Sequence, residues 1–100
     1  MFDLKVVSLD HSAAVFVAGD LDLATAPVLA SVLEVQGSRT SQVVVDLSDT
    51  AFVDFSGMRV LETAAAQLEA AGVTLSLRGM KPGVVRTMRL FEMLESVTLE

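Results

Sequence analysis

The sequence predicts an α/β domain: a mostly parallel mixed sheet of four to five strands, opened by an N-terminal β-hairpin and carrying about three helices. Three observations predict it. Short valine-rich runs with strand character alternate with longer segments of helical period. Turn residues or a glycine stand at most of the switches between them. Strands that alternate with helices need crossover connections, and those generate parallel neighbours. At 100 residues the chain is one domain, residues 1–100.

Phe2 to Leu9 and Ala14 to Ala18 read as two strands, and Asp10-His11-Ser12 between them has turn chemistry, so the pair forms a hairpin. Gly19-Asp20-Leu21-Asp22 breaks the pattern. A helix is predicted from Ala24 to Gln36, with Pro27 in its first turn, where a missing N–H costs little. Val28, Leu29, Val32 and Leu33 supply its apolar stripe. Gln42 to Leu47 is a third strand, and its consecutive valines predict burial on both faces.

The second helix is expected from Gly57 to Ala71, with Met58, Leu61, Ala65, Leu68 and Ala71 on its inner face and Gly72 as its stop. Val73 to Leu77 is a fourth strand. Pro82 opens a third helix whose apolar face holds Val84, Val85, Met88 and Phe91. Val97 to Leu99 is expected as a last short strand.

Composition excludes several function classes. A net charge of −6 repels phosphate backbones, so a nucleic-acid partner is not expected. No apolar run approaches the ~18 residues that span a bilayer, so no membrane partner is expected either. The absence of cysteine removes disulfide and thiol chemistry and fits a cytoplasmic setting. His11 is the only histidine and falls in the hairpin turn, far from the serine discussed next, which argues against a Ser-His-Asp hydrolase. No glycine-rich phosphate loop is present, and the acidic residues lack a metal-ligand spacing. An enzyme, a cofactor and a metal are therefore not expected.

The run from Val53 to Leu61 carries the functional signal. It places Ser56 where a helix starts, at the carboxyl edge of the sheet, the edge where sites of such folds lie. Two roles are open to that hydroxyl. As an N-cap it would stabilise the helix by ~1 kcal/mol, with Phe55 and Val60 at the hydrophobic-staple positions. As a phosphate acceptor it would act as a switch, and the positive end of the helix would tolerate the added charge. The loops at the same edge carry Asp20, Asp22 and Asp54, and Arg59 lies three residues after Ser56, within reach of a phosphate there.

Three elements in order resemble a known family: Gly19-Asp20-Leu21-Asp22 before the first helix, Asp46-Leu47-Ser48 after the valine strand, and Asp54-Phe55-Ser56-Gly57-Met58 opening the second helix. Together they look like the STAS domain in its single-domain form, the bacterial anti-sigma factor antagonist. The likeness covers nearly the whole chain.

The resemblance implies that an anti-sigma factor, itself a serine kinase, phosphorylates Ser56. The unmodified antagonist binds that kinase and frees the sigma factor, and a serine phosphatase resets the modified form. It also implies a partner-binding surface made of Asp20, Asp22, Asp54, Phe55, Ser56, Gly57, Met58 and Arg59, on a chain expected to be monomeric. Phe55 stands where relatives carry a small polar residue, and Arg59 where many carry a small one. The alternatives are a STAS scaffold or small-ligand module with Ser56 unmodified, and a receiver-like domain phosphorylated on Asp46.

Overall fold

The computed structural model describes residues 1–90 and 98–99. Strands β1 (Asp3–Leu9) and β2 (Ser12–Ala18) form the hairpin. They are followed by α1 (Ala26–Gly37), β3 (Gln42–Asp49), α2 (Phe55–Ala70), β4 (Thr74–Arg78), α3 (Pro82–Leu90) and β5 (Thr98–Leu99). The sheet order is β1-β2-β3-β4-β5; β1 runs antiparallel to β2, and every later pair is parallel. The expected mixed sheet, hairpin and helices are all present. Phe91, expected on the inner face of the third helix, and Val97, expected to begin the last strand, lie outside the described residues.

The strands follow one another across the sheet in chain order. Crossovers of one hand between such neighbours lay their helices on one face. The core shows the result. Val15 and Val17 of β2, Val43, Val45 and Leu47 of β3, and Leu75 and Leu77 of β4 bury one sheet face in a single cluster. Leu29 and Leu33 of α1, Leu61 and Leu68 of α2, and Val84 and Met88 of α3 belong to the same cluster. Val44, on the other side of β3, is also buried, as the run of valines requires.

That other face carries a cross-strand row in register, Lys5, Phe16, Asp46 and Arg78. Arg78 Nε donates to Asp46 Oδ2 at 2.8 Å, and its guanidinium carbon lies 5.5 Å from the centre of the Phe16 ring.

Element ends differ from expectation in instructive ways. The hairpin turn has two residues, Asp10 and His11, because Leu9 pairs directly with Ser12. Helix α1 starts two residues late, at Ala26, because Asp22 and Thr25 hold the preceding segment in its own hydrogen-bonded turn. Val28 is 49% exposed, so the stripe of α1 narrows to Ala26, Leu29 and Leu33, with Val32 half-buried. Ala71 is exposed beyond the end of α2. Helix α2 starts two residues early, and that shift changes the reading of the serine.

Candidate functional site

The N-cap of α2 is Asp54, not Ser56. Asp54 has extended backbone, with φ −88° and ψ −175°, and its Oδ1 accepts from the Gly57 N–H at 3.0 Å. A carboxylate is a cap as good as a hydroxyl and complements the helix dipole as well. The hydrophobic-staple positions move with the cap, from Phe55 and Val60 to Val53 and Met58, both of which are buried. Phe55 and Ser56 become the first two residues of the helix.

This shift frees the hydroxyl. Ser56 is half-buried, and its Oγ makes no hydrogen bond among the described residues. Its neighbours are divided. Phe55 is 50% exposed and Arg59 is exposed, whereas Gly57 and Met58 point into the protein. Met58 is 2% exposed, so its side chain packs the core and is not part of a contact surface. Gly57 is required by packing: a Cβ there would lie 2.7 Å from the Leu21 carbonyl oxygen and 2.9 Å from Leu21 Cγ.

The contact at Gly57 shows how the two acidic loops meet. The loop after β2 is stitched to the loop after β3 by three backbone bonds: Gly19 N to Asp49 O at 3.1 Å, Leu21 N to Phe52 O at 3.0 Å, and Asp54 N to Leu21 O at 3.1 Å. Leu21 and Val53 form an isolated parallel bridge. Gly19, at φ +99°, makes the turn into this strip, and a Cβ there would meet the Met1 carbonyl oxygen. The stitching places the Asp20–Asp22 segment alongside the run into Ser56, as expected for the carboxyl edge. Buried Thr50 helps to hold the second loop, its hydroxyl donating to the Val17 carbonyl at 2.9 Å.

The acidic residues differ in how far they are committed. Asp22 Oδ1 accepts from the N–H groups of Ala24 (3.0 Å) and Thr25 (3.1 Å) and from the Thr25 hydroxyl (3.1 Å). The bond from the Thr25 amide, then that from its hydroxyl, holds the Asp22 carboxyl below the usual carboxylate range. Asp22 is thus a loop brace. Asp20 is exposed and contributes its carbonyl to the Thr25 hydroxyl at 2.9 Å.

Asp46 is committed as well: Oδ1 accepts from the Ser48 N–H at 2.9 Å and from the Ser48 hydroxyl, and Oδ2 takes Arg78. Burial works against its charged form, but Ser48 and Arg78 outweigh it and keep the carboxyl low. Both oxygens of the candidate phospho-aspartate are therefore occupied by structural bonds. Among the described residues, no three His, Cys, Asp or Glu side chains gather as metal ligands. No described helix is long and apolar enough to cross a membrane.

The structure adds residues that the pattern of the sequence did not single out. Leu23 is 75% and Phe52 53% exposed, both in the stitched loops. Leu23, Pro27, Phe55 and Val60 line an open groove of about 310 Å³ between the starts of α1 and α2, with Ser56 and Arg59 in its wall. Arg59 stacks on Phe55, its guanidinium carbon 5.6 Å from the ring centre. An apolar leucine in a loop, outside any helical or strand period, was the available signal. His11 lies at the opposite end of the parallel strands, where its carbonyl accepts from Ser41 and Gln42 at 2.9 and 3.2 Å.

Comparison with known proteins agrees with this fold. Residues 4–98 match the family model described as Mlab, STAS domain. An anti-sigma factor antagonist from Mycobacterium paratuberculosis is 23% identical, with a TM-score of 0.86, over 99% of this chain and 85% of that one. The anti-sigma factor antagonist SpoIIAA in its unphosphorylated form is 15% identical, with a TM-score of 0.80, over 100% of this chain and 88% of that one. The Bacillus cell fate determinant SpoIIAA in its phosphorylated form is 14% identical, with a TM-score of 0.74, over 100% and 91%. No curated protein sequence matches.

Proposed function

The chain belongs to the STAS domain family, and from that premise we propose that it is an anti-sigma factor antagonist switched at Ser56. One observation carries this reading: Asp54 does the capping, so the Ser56 hydroxyl stands at the helix start without a structural bond among the described residues. In its unmodified form the chain binds an anti-sigma factor that is also a serine kinase, and the sigma factor is released. In the modifying step Ser56 Oγ takes the γ-phosphoryl group of ATP, ADP leaves, and the hydroxyl proton passes to a base of the kinase. A serine phosphatase reverses the state. The chain itself catalyses nothing and works in the cytoplasm as a monomer.

The mechanism is electrostatic. A phosphate brings about −1.5 to −2 charge to a surface already carrying Asp20 and Asp54. The helix start itself is not disturbed, because its dipole favours an anion. The cost falls on the partner, which must desolvate a dianion. A penalty of about 3 kcal/mol lowers affinity roughly a hundredfold.

The test is incubation with ATP and the candidate anti-sigma serine kinases of the same genome. The phosphate is then mapped by mass spectrometry, with Ser56→Ala as control. Label on Ser56, with loss of kinase binding, is the expected result. Label on aspartate would replace the reading with a receiver-like one.

A second reading is a STAS module that holds its partner without modification. The exposed Leu23 and Phe55 beside the serine favour it, since a constitutive contact needs apolar surface. Tight binding without label would establish it.

A further inference from the structure

We propose that Arg59 is the electrostatic pivot of this surface. In the unmodified chain it pairs with a carboxylate of the partner protein, whose neighbouring apolar side chain fills the groove between α1 and α2. A phosphate on Ser56 then draws Arg59 away. The proposal rests on the switch reading above and names the partner chemistry that the site selects.

The groove is open and apolar, about 310 Å³, and lined by Leu23, Pro27, Phe55 and Val60. A groove of that size admits a large apolar side chain. Leu23, 75% exposed, leaves apolar surface at the groove for a partner to cover. Arg59 closes one side of the groove and makes no ion pair among the described residues, where the ion pair present is that of Arg78 with Asp46. Glu62, the nearest acid in sequence, makes no ion pair with it among the described residues, and Asp54 is turned to the Gly57 N–H. The guanidinium rests on the Phe55 ring instead. An arginine exposed over an aromatic ring, at the edge of an apolar groove, presents an unneutralised cation next to a desolvated contact. The complementary occupant is an apolar side chain with an acid beside it.

The same position makes Arg59 sensitive to modification. Ser56 and Arg59 line one groove and stand three residues apart on a helix, the spacing at which side chains meet. A phosphate there offers three strong acceptor oxygens and a bidentate match to guanidinium. Ring stacking is the weaker contact, so Arg59 leaves Phe55 for the phosphate. The partner's carboxylate then loses its cation and faces a dianion in its place. One residue thereby converts the modification into two losses at the interface.

Two measurements test this. Protein carrying phosphoserine at position 56, made by translational incorporation, is titrated by phosphorus NMR beside its Arg59→Gln counterpart. The phosphate of the parent is expected to titrate at least about half a pH unit lower. Superimposable titrations would overturn the pivot.

In the second measurement, the kinase that labels Ser56 is titrated calorimetrically with unmodified protein. Leu23→Ser and Arg59→Gln are each expected to weaken binding about tenfold. Both sites are exposed, and circular dichroism checks that the variants fold. Variants that bind like the parent would overturn the partner chemistry. If no kinase labels Ser56, the switch reading has failed and the partner chemistry fails with it, while the phosphorus titration still decides the pivot.

Discussion

Two helices begin within the same pair of stitched loops, and each has a hydroxyl at its start. The Thr25 hydroxyl at the entry of α1 is locked. It accepts from the Asp22 N–H at 2.8 Å, and its hydrogen has the Asp20 carbonyl at 2.9 Å and Asp22 Oδ1 at 3.1 Å as acceptors. The Ser56 hydroxyl at the entry of α2 has no such bond among the described residues, because the neighbouring carboxylate of Asp54 caps the helix in its stead. The difference separates a hydroxyl used in folding from one left over for chemistry. It also explains why an acid precedes the serine: the helix is capped whether or not Ser56 is modified.

The comparison can be broken at its joint. Gly57→Ala would drive a Cβ to 2.7 Å from the Leu21 carbonyl, where backbone must move, and is expected to cost about 3 kcal/mol by urea unfolding. Preserved stability there would mean that the loops are not stitched as described.

On the locked side, Thr25→Val leaves the Asp22 N–H without its acceptor and should cost about 2 kcal/mol. Asp54→Ala removes the cap of α2 and should cost about 1 kcal/mol.

Acid sharpens the contrast. The carboxyls of Asp22 and Asp46 titrate below the ordinary value of 3.8, so their bonds stabilise the fold fully above that value. The contribution is lost as the pH falls from there through their folded pKa values. A pH series of unfolding midpoints should decline in that acidic window, and Asp46→Asn should flatten the decline.

The smallest effect is expected at Ser56→Ala, within about 0.5 kcal/mol of the parent, since no bond is removed. A loss comparable to that of Thr25→Val would show that the serine hydroxyl is structural after all.

Much of this was legible in the chain. The alternation of valine runs with helical periods specified the strands, their order along the chain and a mostly parallel sheet. The periods of α2 and α3 identified Leu61, Leu68, Val84 and Met88 as core. The acid-rich motifs placed Ser56 at the carboxyl edge. The cap was misplaced because Asp54 and Ser56 are both good N-cap residues two positions apart, and local preference does not choose between them. Tertiary contacts do, by pulling Val53 against Leu21 and seating Met58 in the core, which starts the helix at Phe55. Val28 was expected inside because the stripe of α1 reads wider than the face that α2 and the sheet cover.

The apolar groove was not legible at all. It joins Leu23 and Pro27 to Phe55 and Val60 across about thirty residues of chain, a distance that no local period can encode.

By itself, the sequence determined the alternating strand and helix order, the −6 charge that disfavours nucleic acid, and the presence of a serine among acids at a helix start. Tertiary structure alone decided which acid caps that helix, which hydroxyl stays unbonded, and that an apolar groove stands beside it. The physical reason is that periodicity and capping preference act within a few residues. Whether a polar group is committed or available depends on what the rest of the chain brings against it.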